Sequence, residues 1–143
     1  MGEDSFAVGM VLRNEHGEFV MGKNLRMAGQ VTVMEAEAHG VYEALRWVDD
    51  LRLHQVVIES DSSLVVQALQ LRSSYFLKVG NILEACQGML EHRSDLIVHH
   101  VKRHANGVAH VLAKMPCLID CHNIFVSPPH CVLESLSVDC SSA

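Results

Sequence analysis

The sequence predicts an α/β domain, a mixed β-sheet with helices on its faces. Three observations carry this. Phe6 to Arg13 and Glu18 to Arg26 are two strand-like runs around the turn residues Asn14-Glu15-His16-Gly17, which is the pattern of a β-hairpin. Val33 to Leu51 repeats its apolar residues at helical spacing. The short run Val56-Val57-Ile58 is β-branched and does not alternate with polar residues, which predicts a strand buried on both faces and paired in parallel. The full order reads β, β, α, β, α, α, β, α.

Each element follows from its residues. After the hairpin, Met27 to Thr32 is a loop containing Gly29. Thr32 is placed to cap the first helix, with Glu35 three residues on to complete a capping box. The apolar stripe of that helix is Ala36, Gly40, Val41, Ala44, Leu45, Trp47 and Val48, with Glu35, Glu43 and Arg46 on other faces. One of Ser60, Asp61 or Ser62 caps the second helix, Ser63 to Leu71, and Ser73-Ser74 breaks it. Phe76 to His92 is a third helical pattern, Leu96 to Val101 a further strand, Lys102 to Gly107 a basic loop, and Val108 to Lys114 a short helix stopped by Pro116. These elements define a domain over residues 5–115. Residues 116–143, with Pro128-Pro129 and a Ser-rich end, form an expected tail of weak structure.

Composition narrows the function. At 143 residues the chain suits one domain with a real core, and 49% hydrophobic with 20% charged residues is a globular balance. A formal charge of −6 argues against binding nucleic acid by bulk charge, though it leaves room for a local basic patch. Aromatic residues at 5% are too rare for a platform that stacks single strands. Ten histidines will raise the net charge as pH falls toward about 6. No basic-then-apolar leader opens the chain, and no apolar run approaches the roughly 18 residues of a membrane span. Met1-Gly2 is followed by Phe6 where a myristoylation signal needs Ser or Thr. The five cysteines are an odd number, and the expectation is an intracellular protein, nuclear or cytoplasmic, with reduced thiols and no membrane partner. Cys117-x3-Cys121-His122 with His130-Cys131 offers zinc-type ligands, but at irregular spacing.

Two acidic residues stand out as site candidates. Glu37 lies near the start of the first helix and Asp61 at the end of the β-branched run, so the two could meet at one end of the sheet. Each has a plain structural reading as well, Glu37 as a first-turn acid and Asp61 as a helix cap. Glu35 reads as the capping-box partner.

In its motifs the chain resembles the ribonuclease H-like domains of plant retroelement-type reverse transcriptases and of free-standing plant proteins. FAVGMVLRNEHGEFV looks like that family's second and third strands, and EAEAHGVYEALRWV like its first helix. VVIESDSSLVVQAL is similar to its fourth strand and second helix, and HHVKRHANGVAHVLAK to its last strand, loop and final helix. IFVSPPHCVLESLSVD resembles the C-terminal segment of the plant members, so coverage runs from about Ser5 to Asp139.

The resemblance implies a chemistry. Such domains cut the RNA strand of an RNA–DNA hybrid with two divalent cations, Mg2+ or Mn2+, clamped by carboxylates. Glu37 matches the helix glutamate and Asp61 the strand-end aspartate, both as metal ligands and catalytic residues. His110 stands where the final helix of fully armed enzymes has Asp; its imidazole is a softer ligand and would favour manganese. His104 resembles a mobile histidine that shuttles protons, and Lys102, Arg103 and His104 together are placed to touch phosphates. Asp4 is only five residues before Gly9, too close to lie on a separate strand preceding the hairpin. The resemblance therefore implies that the family's first, central strand and its aspartate are missing, leaving the domain incomplete at its N-terminus. It implies inherited hybrid-ribonuclease chemistry with an incomplete catalytic set; the alternatives are a non-catalytic relic that binds nucleic acid or protein, and a truncated fragment.

Overall fold

Ser5–Arg13 (β1) and Phe19–Ala28 (β2) form the expected antiparallel hairpin, with Gly9 opposite Asn24 and Val8 opposite Leu25. The computed structural model describes residues 4–71 and 80–130. Asn14 makes the turn: its Oδ1 accepts the N–H groups of His16 and Glu18, at 2.9 and 3.0 Å. Gly17 takes φ +77° there, a conformation a side chain would strain. The remaining elements are Val33–Asp50 (α1), Val56–Ser60 (β3), Ser63–Leu71 (α2), Gly80–Glu91 (α3), Leu96–His100 (β4), Gly107–Lys114 (α4) and His122–Phe125 (β5). The expected breaker Ser73-Ser74 and the start of the third helical pattern lie outside the described residues.

The chain divides into two compact units, one made of residues 1–31 and 102–143, the other of residues 32–101. In the first, β2 is the middle strand of an antiparallel sheet ordered β1-β2-β5. The segment expected to be weakly structured thus supplies a strand, with Gly22 opposite Phe125 and Asn24 opposite Asn123. Its four residues carry no alternating pattern; side-chain amides fix it instead. Asn123 Nδ2 donates to Asn24 Oδ1 at 3.0 Å and to the Pro116 carbonyl at 3.2 Å. Asn24, 1% exposed, donates from its own Nδ2 to the carbonyls of Leu112 (3.0 Å) and Met115 (3.3 Å) at the end of α4. Val108 and Leu112 of α4 are buried, with Val11, Val111, Met115 and Phe125 packed around them.

In the second unit, β3 and β4 pair in parallel, Val56 with Leu96 through Ser60 with His100. The core gathers Ala38, Val41, Leu45 and Val48 of α1, Ile58 of β3, Val65, Val66, Ala68 and Leu69 of α2, Leu83 and Cys86 of α3, and Leu96 and Val98 of β4. Each large aliphatic side chain buried here contributes about 1.5–3 kcal/mol of transfer free energy. Parallel pairing is as expected, but burial on both faces is not. Ile58 and Val98 face the helices, whereas the cross-strand pair Val57 and Ile97 are each 49% exposed. Three helices gather on the Ile58 face, and a β-branched run cannot by itself say how many faces are covered. Hydrogen bonding also divides the expected mixed sheet into these two sheets, one antiparallel and one parallel.

An ionic cluster sets the register of β3 and β4. Arg93 donates to both Asp95 oxygens (2.9 and 3.0 Å), to Asp49 Oδ1 (2.8 Å) and to the Leu53 carbonyl (2.6 Å). The backbone N–H of Gln55 donates to Asp95 Oδ2 at 2.9 Å, just before β3. The Arg93 guanidinium and that N–H hold the Asp95 carboxyl well below the usual carboxylate range.

Candidate nucleic-acid and metal site

In the unit of residues 32–101, helix capping determines where the acids stand. Thr32 Oγ1 accepts the Glu35 N–H at 3.1 Å, and Glu35 Oε1 accepts the Thr32 N–H at 3.3 Å. This is the expected capping box, and it engages Glu35. Glu37, two residues on, is not part of it; it is half-buried beside Ala38, a member of the core. At the end of β3, Ser62 is the cap among the three candidates. Its Oγ accepts from Val65 N–H at 3.4 Å and its carbonyl from Val66 N–H at 3.1 Å. Ser60, buried, receives the Ser62 N–H at its Oγ, 3.2 Å away. Asp61 therefore stands between the strand and the cap, half-buried, in the bend that turns β3 into α2. α1 packs against both β3 and α2, so Glu37 and Asp61 project from adjoining elements of one unit.

His104 and His110 belong to the other unit, with Lys102 and Arg103. The expected basic loop is partly a 3₁₀ turn, Arg103–Asn106, closed by the Ala105 N–H on the Lys102 carbonyl at 3.0 Å. Lys102, Arg103 and His104 are all exposed, as phosphate contacts would need to be. His110 is half-buried on α4, between Ala109 and the buried Leu112. What holds that helix is Gly9. A Cβ built on Gly9 would stand 2.0 Å from the Ala109 carbonyl oxygen and 2.5 Å from the Ala113 nitrogen. β1 and α4 thus meet backbone to backbone, and a side chain at position 9 would push His110 out of place. The glycine was visible in the strand run, but only its partner, a hundred residues on, shows why it is there.

The carboxylates of Glu37 and Asp61 are hard oxygen donors of the kind magnesium and manganese take, and His110 offers a softer nitrogen. Among the described residues the donors fall short of a clamp in number. Among the described residues, no three His, Cys, Asp or Glu side chains gather closely enough to hold a metal ion. The same holds for Cys117, Cys121, His122 and His130; Cys131 lies outside the described residues. Among the described residues no helix is long and apolar enough to cross a membrane.

Comparison with known proteins bears on the family and the fold. A family model described as reverse transcriptase-like matches residues 2–116. The fold is similar to that of RNase H1 from the halophilic archaeon Halobacterium salinarum, with a TM-score of 0.69, 24% identity, and coverage of 77% of this chain and 89% of that one. It is also similar to part of a foamy viral protease-reverse transcriptase, determined in complex with an RNA/DNA hybrid (TM-score 0.51, 19% identity, 76% of this chain and 19% of that one). The native protease-reverse transcriptase of prototype foamy virus matches at a TM-score of 0.50 and 14% identity, over 77% of this chain and 20% of that one. No curated protein matches the sequence.

Proposed function

The chain belongs to the reverse transcriptase-like family and has a ribonuclease H-like fold, and from that premise we propose that it binds RNA–DNA hybrid. The observation that carries this reading is the placement of Glu37 and Asp61. They sit on adjoining elements of one unit, while Glu35 and Ser62 serve the two helix starts. Lys102, Arg103 and His104, exposed at the start of the last helical segment, contact phosphates. The foamy viral relative, whose structure contains an RNA/DNA hybrid, supports the choice of ligand. An intracellular setting, nuclear or cytoplasmic, belongs to the same reading.

Glu37 and Asp61 are the part of a cation-binding set that this chain carries, for Mg2+ or Mn2+. His110 and His104 lie in the other unit; the resemblance makes the first a candidate ligand and the second a candidate for moving a proton. A divalent ion held by the two carboxylates would supply the Lewis acidity that such domains use to cut RNA. With the donor set short, hybrid binding is the activity that the described residues support, and cleavage is an inherited chemistry to be measured.

The test uses the full chain and a labelled RNA–DNA hybrid, with duplex DNA and duplex RNA as competitors, in Mg2+ and in Mn2+. Preferential binding of the hybrid is the expected result. Cleavage that disappears in Glu37→Ala and Asp61→Ala would establish the hydrolytic role of the two acids. Hybrid binding without cleavage that survives both substitutions would establish the non-catalytic alternative. No preference for hybrid over either duplex would overturn the proposal, and a non-cooperative melt would identify a fragment that does not hold the fold.

A further inference from the structure

We propose that Cys117 and Cys121 form a redox-active dithiol that peroxide converts to an intrachain disulfide. The two residues flank the loop that leads from α4 into β5, and that loop is folded back on itself. The Cys121 N–H donates to the Leu118 carbonyl at 3.1 Å, and Asp120 takes a left-handed conformation with φ +60°. Across the loop, the Cys117 thiol donates to the Cys121 carbonyl oxygen with Sγ 3.2 Å away. A carbonyl oxygen lies about 3 Å from its own residue's Cβ by standard geometry. The Cys121 Cβ therefore stands within roughly 6 Å of the Cys117 sulfur, so a disulfide requires side-chain rotation and a small adjustment of the loop.

Arg26 of β2 holds this arrangement. Its Nε donates to the Cys117 carbonyl at 2.8 Å, its backbone N–H donates to the Cys121 carbonyl at 3.2 Å, and its carbonyl accepts the Asp120 N–H at 2.8 Å. One residue thus fixes the backbone at both cysteines. Cys121 is exposed and Cys117 half-buried, so an oxidant can reach the pair. Cys86 is the internal contrast. It is fully buried in the core of the other unit, where burial pushes its thiol up to about 12 and removes the reactive thiolate.

The chemistry balances with peroxide as oxidant. The Cys121 thiolate attacks one peroxide oxygen, an S–O bond forms, the O–O bond breaks, and the leaving hydroxide takes a proton to become water. The Cys117 thiolate then attacks that sulfur, the S–S bond forms, the S–O bond breaks, and the leaving hydroxide takes a proton to become a second water. The two sulfurs together give two electrons to the peroxide. The product is a short ring that locks the entry to β5 against β2.

The test treats the folded full chain with hydrogen peroxide, blocks remaining thiols with an alkylating agent, and digests with trypsin and with a protease that cuts before aspartate. Cleavage after Lys114 and before Asp120 separates the two cysteines. The expected result is a disulfide-linked pair of peptides, 115–119 with 120–138, with Cys86 recovered alkylated. The link must persist in Cys131→Ser, and must be lost in Cys117→Ser and in Cys121→Ser. It should reopen with dithiothreitol. Recovery of Cys117 and Cys121 in alkylated form, or of either joined to Cys131 or Cys140, would overturn the proposal.

Discussion

Replacing Gly9 with alanine tests the central contact of the hairpin unit. The added Cβ would lie 2.0 Å from the Ala109 oxygen and 2.5 Å from the Ala113 nitrogen, both main-chain atoms of α4. Ordinary contact begins near 3.4 Å, so α4 must retreat by about 1.4 Å or β1 must bend by as much. Neither atom is the free end of a side chain, so nothing can simply rotate away. Overpacking of this kind costs about 1–3 kcal/mol. A retreat of about 1 Å also forfeits a quarter to a half of the dispersion contact along the helix, here at Val108 and Leu112. The sum is about 3 kcal/mol, or a fall in Tm of roughly 6–12 °C at this chain length. Gly88, on α3, has no atom within 4 Å of its built Cβ. Gly88→Ala should therefore stabilise by about 0.5–1 kcal/mol through helix propensity alone. Thermal unfolding followed by circular dichroism on both variants gives opposite signs. If Gly9→Ala melts within about 2 °C of the parent, the close approach of β1 and α4 is wrong.

Three other outcomes can be checked. Asn24→Ala takes the amide donor from the Leu112 and Met115 carbonyls, the first of which keeps the Met115 N–H, and the side-chain acceptor from Asn123, which should cost about 1–2 kcal/mol in urea unfolding; a loss under about 0.5 kcal/mol would refute the role given to this amide. Asp95 has its folded pKa depressed, first by Arg93 and then by the Gln55 N–H. Its contribution is thus present above the unfolded value of about 3.9 and is lost as pH falls toward the folded one. The urea midpoint should drop below about pH 4, and Asp95→Asn should flatten that part of the profile; an unchanged slope would contradict it. Lys102→Ala and Arg103→Ala should each reduce the slope of log K against log salt for hybrid binding by about one, with little change in preference among sequences. Unchanged slopes would remove both residues from the interface.

Periodicity and turn chemistry made most elements readable. The capping box at Thr32 and Glu35, the Asn14 turn and the parallel pairing of β3 all follow from local rules, because their partners lie within a few residues or repeat in register. The strand β5 did not show, since four residues held by the Asn24–Asn123 amide pair leave no pattern in the chain. Burial of Val57 was misjudged for a similar reason: which face the helices choose is a tertiary outcome. Within the site, Glu37 and Asp61 stand out by their places in the chain, the resemblance gives them a role, and the structure adds which neighbouring residues carry out the capping. The sequence offered three candidates at Ser60-Asp61-Ser62, and only the hydrogen bonds select Ser62.

The division into two units has a consequence for how the chain matures. Residues 32–101 are continuous, so every member of their core is at hand once residue 101 has been made. The hairpin is made before that unit, yet its partners come after it. The groove at Gly9 waits for Ala109 and Ala113, and Asn24 for Leu112, Met115 and Asn123. During synthesis at about 5–20 residues per second, β1 and β2 therefore stand for several seconds with an uncovered apolar face and with the edge of β2 that later takes β5 still open. That interval, rather than the finished fold, is where this protein is most exposed to wrong strand partners.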